Sequence, residues 1–279
     1  MPFVENQGTK IYWDEQGAGD PVLLIMGLGY PSALWYRTRP VLARQYRTLA
    51  FDNRGVGLSD VPPGPYSIAT MASDAAAVLD AAGIACAHVF GISMGGMIAQ
   101  EFALQYPAKT RSLILGCTAA GGPSAVRAES NVTDILVARG MTVEQSRVAI
   151  LPYIYAAATS RERIEDDVNL RAIWLPSPEA HLAQLLAIRA WEGYSRLAQI
   201  TAPTLVIHGK TDALVPPGNG ELIAARIPGA KLVLLEHASH LFLTDQTQAA
   251  HKEILEFLSS DLSSIDWRGN PVKKQGGSE

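Results

Sequence analysis

Six short stretches of the chain are continuously apolar or nearly so, rather than alternating between apolar and polar positions. They cover residues 22–25, 48–51, 87–92, 112–117, 204–208 and 231–236. Such runs are typical of strands that are covered on both faces, as in a parallel sheet flanked by helices. Residues 1–15 instead contain two short runs around Gly8, which predicts an antiparallel hairpin at an edge of the sheet.

Helical patterns with recognisable ends lie between these strands. Ser67 is a candidate N-cap of a helix that ends near Gly83, and a second helix over residues 94–106 is ended by Pro107. Strands that alternate with helices in this way favour a mostly parallel, doubly wound α/β sheet with right-handed crossovers.

The strand pattern disappears between about residue 120 and residue 200. Thr142 and Gln145 match a capping box there, and Leu182, Leu185 and Leu186 recur at helical spacing. We predict a helical cap over residues 120–200, inserted between core segments 1–119 and 201–265, with a frayed tail over 266–279. Three aromatic residues of this cap are candidate pocket residues, although aromatic side chains in a small helical block more often form plain core: Tyr155, Trp174 and Trp191.

The composition argues against several classes of function. The 279 residues carry a net charge of -4 and contain no Lys/Arg run that could track a nucleic-acid backbone. No apolar stretch reaches the length of a membrane span, and no signal peptide is visible in residues 1–10. Cys86 and Cys117 are expected to be free thiols. We therefore expect a cytoplasmic monomer or homodimer that binds neither nucleic acid nor membrane.

One short motif carries the candidate chemistry. Ser93 stands between Gly91 and Gly95 where a predicted strand meets a predicted helix. A serine that merely caps the helix explains the hydroxyl but not the two glycines. A sharp strand-to-helix turn explains both, because a Cβ at either flanking position would clash. Ser93 is thus a predicted nucleophile, which requires a histidine base and a carboxylate that orients it.

Two later loops supply candidates for the base and the acid. Asp212 follows the strand in TLVIHGKTDALVP, and His240 follows the strand in KLVLLEHASH. Together with the Ser93 motif, these segments resemble the α/β-hydrolase superfamily over about residues 22–258. The resemblance implies the α/β-hydrolase fold with a helical cap, and a catalytic triad of Ser93, Asp212 and His240 in the chain order that this fold uses.

Alternatives exist for the base and for the acid. By the resemblance, His208 is expected to pack beneath the acid loop. His237 lies closer to the strand and is expected to turn inward or to cap. Asp212 could be a simple turn aspartate, because turns favour this residue type. Residues 118–121, after the preceding strand, contain no rival carboxylate, which strengthens the assignment of Asp212.

The resemblance also implies an oxyanion hole made of backbone N–H groups. Met94 would supply one donor at the start of its helix, and Leu28 the other. The family most often has His-Gly where this chain has Met26-Gly27. We count Met26 and Gly27 among the substrate contacts, and the replacement of a histidine by methionine predicts a more apolar entrance.

These residues predict a serine hydrolase that cleaves carboxylic esters or lactones of small to medium acyl groups through an acyl-enzyme, with no metal or organic cofactor. Proteins that look similar include carbon-carbon bond hydrolases and enol-lactonases of aromatic degradation, often with Ser-Met-Gly-Gly as here. Others keep the triad and serve as ligand receptors. These remain alternatives, and turnover separates an enzyme from a receptor.

Overall fold

A sheet of eight strands forms the centre of the protein in the computed structural model, which describes residues 2–260. In chain order the strands are β1 (Phe3–Asn6), β2 (Thr9–Gln16), β3 (Asp20–Ile25), β4 (Tyr46–Phe51), β5 (Ala87–Ile92), β6 (Thr110–Gly116), β7 (Thr204–Gly209) and β8 (Lys231–Leu235). Their spatial order is β1-β2-β4-β3-β5-β6-β7-β8. The pairs β1–β2 and β2–β4 are antiparallel and the others are parallel. The predicted α/β class and the edge hairpin are confirmed.

Both faces of the sheet are covered, which is why its strands are continuously apolar. Leu23 and Ile25 pack on one face with α2 (Ile68–Ala81) and α3 (Met94–Gln105), whereas Val22 and Leu24 pack on the other with α11 (Thr247–Ser259). Each position from Val22 to Ile25 of β3 therefore faces an apolar layer, and a polar residue at any of these four positions would be buried.

The predicted helix ends are observed where the sequence marks them. The Ser67 hydroxyl accepts the Thr70 N–H at 3.0 Å at the start of α2, and α3 ends directly before Tyr106 and Pro107. Among residues 2–260, no helix is both long and apolar enough to cross a membrane. The predicted tail, residues 266–279, lies outside the described residues.

The remaining helices lie mostly between β6 and β7. We call residues 120–200 the cap region. It contains α4 (Ser130–Leu136), α5 (Val143–Ala149), α6 (Leu151–Ile154), α7 (Arg161–Ala172) and α8 (Pro178–Ala190). Three other helices belong to the core segments: α1 (Arg39–Leu42), α9 (Gly218–Arg226) and α10 (Phe242–Asp245). Short 3₁₀ turns occur at Ser32–Arg37, Pro107–Lys109 and Tyr194–Gln199.

Helix α8 meets the core mainly through small residues, and only one of its three spaced leucines is buried. Leu182 is 55% exposed and Leu186 is 50% exposed, while Ala180, Gln184, Leu185 and Ala187 are buried. Ala180, Gln184 and Ala187 follow the spacing i, i+4, i+7, and the small side chains let α8 approach the core closely.

Candidate active site

Ser93 lies in a tight turn between β5 and α3. Its backbone has φ 54° and ψ -122°, a conformation that L-residues rarely adopt. A Cβ on Gly91 would lie 2.0 Å from the Gly95 carbonyl oxygen, and a Cβ on Gly95 would lie 2.1 Å from that of Ile25. The steric reason for the two glycines, inferred from sequence, therefore holds in the structure.

Three side chains from separate loops form a hydrogen-bonded chain. Ser93 Oγ lies 3.0 Å from His240 Nε2, and His240 Nδ1 lies 2.8 Å from Asp212 Oδ2. Because a carboxylate only accepts, His240 donates its Nδ1–H to Asp212, which leaves the Nε2 lone pair to accept the Ser93 hydroxyl. The three residues that the sequence analysis grouped are thus in contact.

Asp212 is held as an anion in a buried position. Burial by itself would raise its pKa, but His240 and His208 outweigh that effect and lower the pKa to about 2. Its Oδ1 accepts the N–H groups of Leu214 at 2.9 Å and Val215 at 2.8 Å. These bonds orient the carboxylate so that Oδ2 faces His240.

The rival histidines lie elsewhere. His208 is fully buried under the acid loop, with Nε2 2.8 Å from the Val215 carbonyl oxygen and 3.4 Å from Asp212 Oδ2. It packs where the family resemblance placed it. His237 is exposed, so the expectation that it turns inward is wrong. The two residues that follow it, Ala238 and Ser239, are buried.

The two predicted oxyanion donors flank the serine. Met94 is the first residue of α3, so its N–H has no acceptor within the helix. Leu28 and Met94 line the same cavity as Ser93, and neither amide donates to another of the described residues. Gly27 lies so close to the serine that a Cβ there would be 3.1 Å from Ser93 Cβ. Both N–H groups therefore remain open to a ligand beside Ser93.

A cavity of about 710 Å³ opens above the serine. Its walls are mainly apolar and come from the core and from the cap region, as with Leu34, Ile150 and Leu185. This volume and lining are typical of a pocket for a small organic molecule. Met26 and Gly27 line it as expected.

The three aromatic residues predicted for the pocket do not line this cavity in the described part of the chain. Tyr155 is buried and its hydroxyl donates to Asp167 at 3.1 Å. Trp191 donates its indole N–H to Glu101 at 2.8 Å, on the core side of the cap region. Trp174 is half-buried between α7 and α8. Tyr155 and Trp191 are placed as the alternative interpretation, plain core, would have them.

One group of side chains near the serine has metal-ligand chemistry. The ligand atoms of Cys117, Asp212 and His240 lie within 4.8 Å of one another. Burial raises the pKa of the Cys117 thiol well above its ordinary value, and the Asp212 charge adds to this effect. Asp212 and His240 already bind each other, so an ion could enter only by breaking that hydrogen bond.

Two polar residues of the cap region near the site escaped the sequence analysis. Gln184 is fully buried and hydrogen-bonds to the loop that contains Leu28. Arg171 lines the cavity. The small residues on either side of Gln184 at helical spacing are a signal that could have shown that Gln184 is buried. Nothing in the local sequence distinguishes Arg171 from a surface arginine.

Comparisons with known proteins identify the family of this chain. The profile of the alpha/beta hydrolase fold family matches residues 20–139, and that of the TAP-like proteins matches residues 189–262. A relative from Azorhizobium caulinodans, provisionally named carbamate hydrolase RutD, is 32% identical over 92% of this chain and 98% of its own length.

Solved structures are similar over nearly the whole chain. A hydrolase from Pseudomonas aeruginosa superposes with a TM-score of 0.82 and 31% identity, over 93% of this chain and 98% of its own. The enol-lactonase from Burkholderia xenovorans superposes with a TM-score of 0.83 and 27% identity, over 93% of this chain and 100% of its own.

Proposed function

This chain belongs to the α/β-hydrolase family and is a hydrolase, and we propose that it cleaves carboxylic esters or lactones of small to medium acyl groups through an acyl-enzyme on Ser93. The observation that carries the proposal is the hydrogen-bonded chain from Ser93 Oγ through His240 to Asp212 at the base of an apolar cavity. A serine hydroxyl needs such a base to become a nucleophile.

In the first half of the proposed reaction, His240 Nε2 takes the Ser93 proton while Oγ attacks the substrate carbonyl. The N–H groups of Leu28 and Met94 hold the negative oxygen of the tetrahedral intermediate. Asp212, ionised at neutral pH, stabilises the imidazolium and keeps the ring oriented. The imidazolium then protonates the leaving alcohol, and the carbon-oxygen bond breaks.

In the second half, a water molecule gives a proton to His240 Nε2 and attacks the acyl-enzyme. The same two N–H groups hold the second tetrahedral intermediate. Its collapse releases the acid, and the proton returns from His240 to Ser93 Oγ. For a lactone, the leaving alcohol stays attached to the acyl group, so one hydroxy acid is the product.

The cap region sets the proposed size limit for the acyl group. Ile150 and Leu185 from this region and Leu34 from the core enclose the cavity of about 710 Å³. A space of this size accommodates a molecule of a few tens of non-hydrogen atoms at most. We propose that residues 120–200 act as a separate cap between core segments 1–119 and 201–265, which the sequence analysis delimited.

A lactone is the second substrate class that the comparisons favour, since one similar structure is an enol-lactonase. The name of the A. caulinodans relative adds carbamates, which present the same kind of carbonyl to a serine. Carbon-carbon hydrolysis and ligand reception stay as alternatives of the same fold.

The test measures kcat/KM for 4-nitrophenyl acetate, butyrate, octanoate and laurate, beside an enol-lactone, a carbamate ester and a vinylogous diketone. Wild type, Ser93→Ala and the exposed-serine control Ser124→Ala are compared. Ser93-dependent turnover of ester or lactone at about 10⁴ M⁻¹s⁻¹ or more supports the proposal. Faster cleavage of the diketone overturns it in favour of carbon-carbon hydrolysis, and stalling after one turnover indicates a receptor.

A further inference from the structure

Eight buried side-chain nitrogen or oxygen atoms among the described residues have no hydrogen-bond partner. Only one of them belongs to a residue that lines the cavity above Ser93, namely Nε of Arg171. A buried N–H without an acceptor is costly, and most costly when it belongs to a charged group. Its position at a ligand cavity indicates that the missing acceptor is part of the ligand.

The guanidinium of Arg171 is held in one orientation. It stacks on the Tyr30 ring with 4.0 Å from Cζ to the ring centroid, and its Nη1 donates to the Tyr30 hydroxyl at 3.0 Å. These two contacts leave the edge formed by Nε and Nη2 without an acceptor in the described residues. That edge presents two parallel N–H groups, the arrangement that matches the two oxygens of a carboxylate.

The neighbouring carboxylate does not neutralise Arg171. Asp167 lies one helical turn earlier on α7, but its two oxygens are already engaged by four side chains: Tyr36, Arg37, Tyr155 and Thr244. Arg37 supplies the positive partner of this carboxylate. Among residues 2–260, no acidic side chain forms an ion pair with Arg171.

A histidine of the cavity wall that is subject to the charge of Arg171 is neutral. His181 lies in the same cavity, and burial together with Arg171 and Arg147 lowers its pKa to about 4. His181 is therefore neutral at pH 7, so the positive charge of Arg171 is not accompanied by a histidine charge. An anion placed beside Arg171 gains charge-assisted hydrogen bonds.

We propose that Arg171 binds a carboxylate carried by the substrate, so that the preferred substrates are esters or lactones with a free carboxylate remote from the scissile carbonyl. This inference rests on the proposed function, which supplies the scissile bond. Arg171 binds the remote end of the substrate through its Nε and Nη2 edge, and the apolar walls contact the chain between the two ends.

The first test compares 4-nitrophenyl half-esters of glutaric and adipic acid with the same compounds methylated on the free carboxylate. Spontaneous hydrolysis, measured without protein, is subtracted. In wild type we expect the ratio of kcat/KM, anionic over neutral, to exceed about 10, and in Arg171→Gln to fall by about 10- to 100-fold. Arg171→Lys keeps the positive charge but loses the pair of parallel N–H groups, so it should retain part of the preference for the anionic ester.

The control is Arg161→Gln, which removes an arginine from the same helix whose side chain is 91% exposed and pairs with Glu165. It should keep the wild-type ratio. An Arg171→Gln ratio equal to that of Arg161→Gln overturns the inference, as does a wild type that shows no preference for the anionic ester.

The second test separates this inference from the proposed reaction. Glutarate and adipate are titrated by calorimetry into Ser93→Ala and into the double variant Ser93→Ala/Arg171→Gln. If adding Arg171→Gln to Ser93→Ala weakens binding tenfold or more, the carboxylate site is supported, even if the protein turns over no ester. Equal binding to both proteins, or none, removes the site while leaving ester hydrolysis by Ser93 unaffected.

Discussion

Gln184 connects the cap region to the loop that carries one proposed oxyanion donor, and replacing it by leucine should damage both stability and turnover. Its Oε1 accepts the Gly29 N–H at 2.9 Å, and its Nε2 donates to the Arg54 carbonyl oxygen at 2.9 Å. The side chain is fully buried. Water therefore cannot replace the lost partners without a change in packing.

The size of the effect follows from these two bonds. Leucine has nearly the same volume, so the main cost is two buried backbone groups without partners, each about 1–3 kcal/mol. We expect the free energy of unfolding to fall by about 2–6 kcal/mol. Loss of an oxyanion donor typically lowers kcat by about 10²–10³, and a donor that is loosened rather than removed should lower it by about 10- to 100-fold.

The assay pairs urea unfolding with steady-state kinetics on the best ester found. Gln184→Glu keeps an oxygen that accepts the Gly29 N–H but loses the donor to Arg54. Compared with Gln184→Leu, it should therefore restore kcat more than it restores the free energy of unfolding. The control is the exposed Gln199→Leu, which should change neither. The expected signature of Gln184→Leu is a large fall in kcat with a smaller change in KM.

The reasoning is refuted if Gln184→Leu unfolds at lower urea concentration but keeps the wild-type kcat. Gln184 would then stabilise the packing of α8 on the core without positioning Leu28. A kcat that falls equally in the leucine and glutamate variants would show that the bond to Arg54, and not the bond to Gly29, is the important one.

Three further predictions follow from single residues. His240→Ala should lower kcat by several orders of magnitude and the exposed His237→Ala hardly at all, as steady-state kinetics will show; the reverse result would assign the base to His237. Gly95→Ala should lose about 3 kcal/mol or more of stability because its Cβ meets a backbone oxygen, whereas Gly218→Ala, whose Cβ meets only a side chain at 3.2 Å, should unfold near the wild-type urea midpoint. Burial lowers the pKa of His88 to about 4 from 6.5, so the unfolded chain binds a proton that the folded chain does not as the pH falls from 6.5 to 4. The free energy of unfolding should therefore drop by about 2 kcal/mol between pH 7.5 and pH 5 on account of this residue. The drop should be smaller by that amount in His88→Gln, and an unchanged drop would contradict the assignment.

The sheet and the elbow at Ser93 were predictable because their causes are local. A strand covered on both faces must be apolar at successive positions, and the glycines at 91 and 95 leave room for backbone atoms that come within 2.1 Å of a virtual Cβ. Asp212 and His240 were assigned by the resemblance to the α/β-hydrolase family, and the fold brings them together because the carboxyl ends of parallel strands share one edge of the sheet.

The sequence predicted that a pocket exists but not which side chains line it. Of the aromatic residues chosen for it, Tyr155 and Trp191 pack in interior clusters instead, because aromatic side chains of a helical region more often fill the core than line a pocket, and Trp174 is half-buried outside the cavity. The spaced leucines of α8 did not mark its buried face, since Leu182 and Leu186 are about half exposed and only Leu185 is buried. Hydrophobic spacing identifies a helix but does not say which side meets the core when the facing surface requires small residues.

Sequence therefore sufficed for the class of fold and for the turn that exposes Ser93, because apolar patterning and short-range sterics control both, and the family resemblance supplied Asp212 and His240 as its partners. Only the tertiary structure revealed that Gln184 braces the loop of Leu28 and that Arg171 lines the cavity with a buried N–H that has no acceptor among the described residues. Both depend on how the cap region sits over the sheet, which places residues more than a hundred positions apart within hydrogen-bonding distance. No periodicity along the chain encodes such a contact, since it is decided by the packing of whole helices against one another.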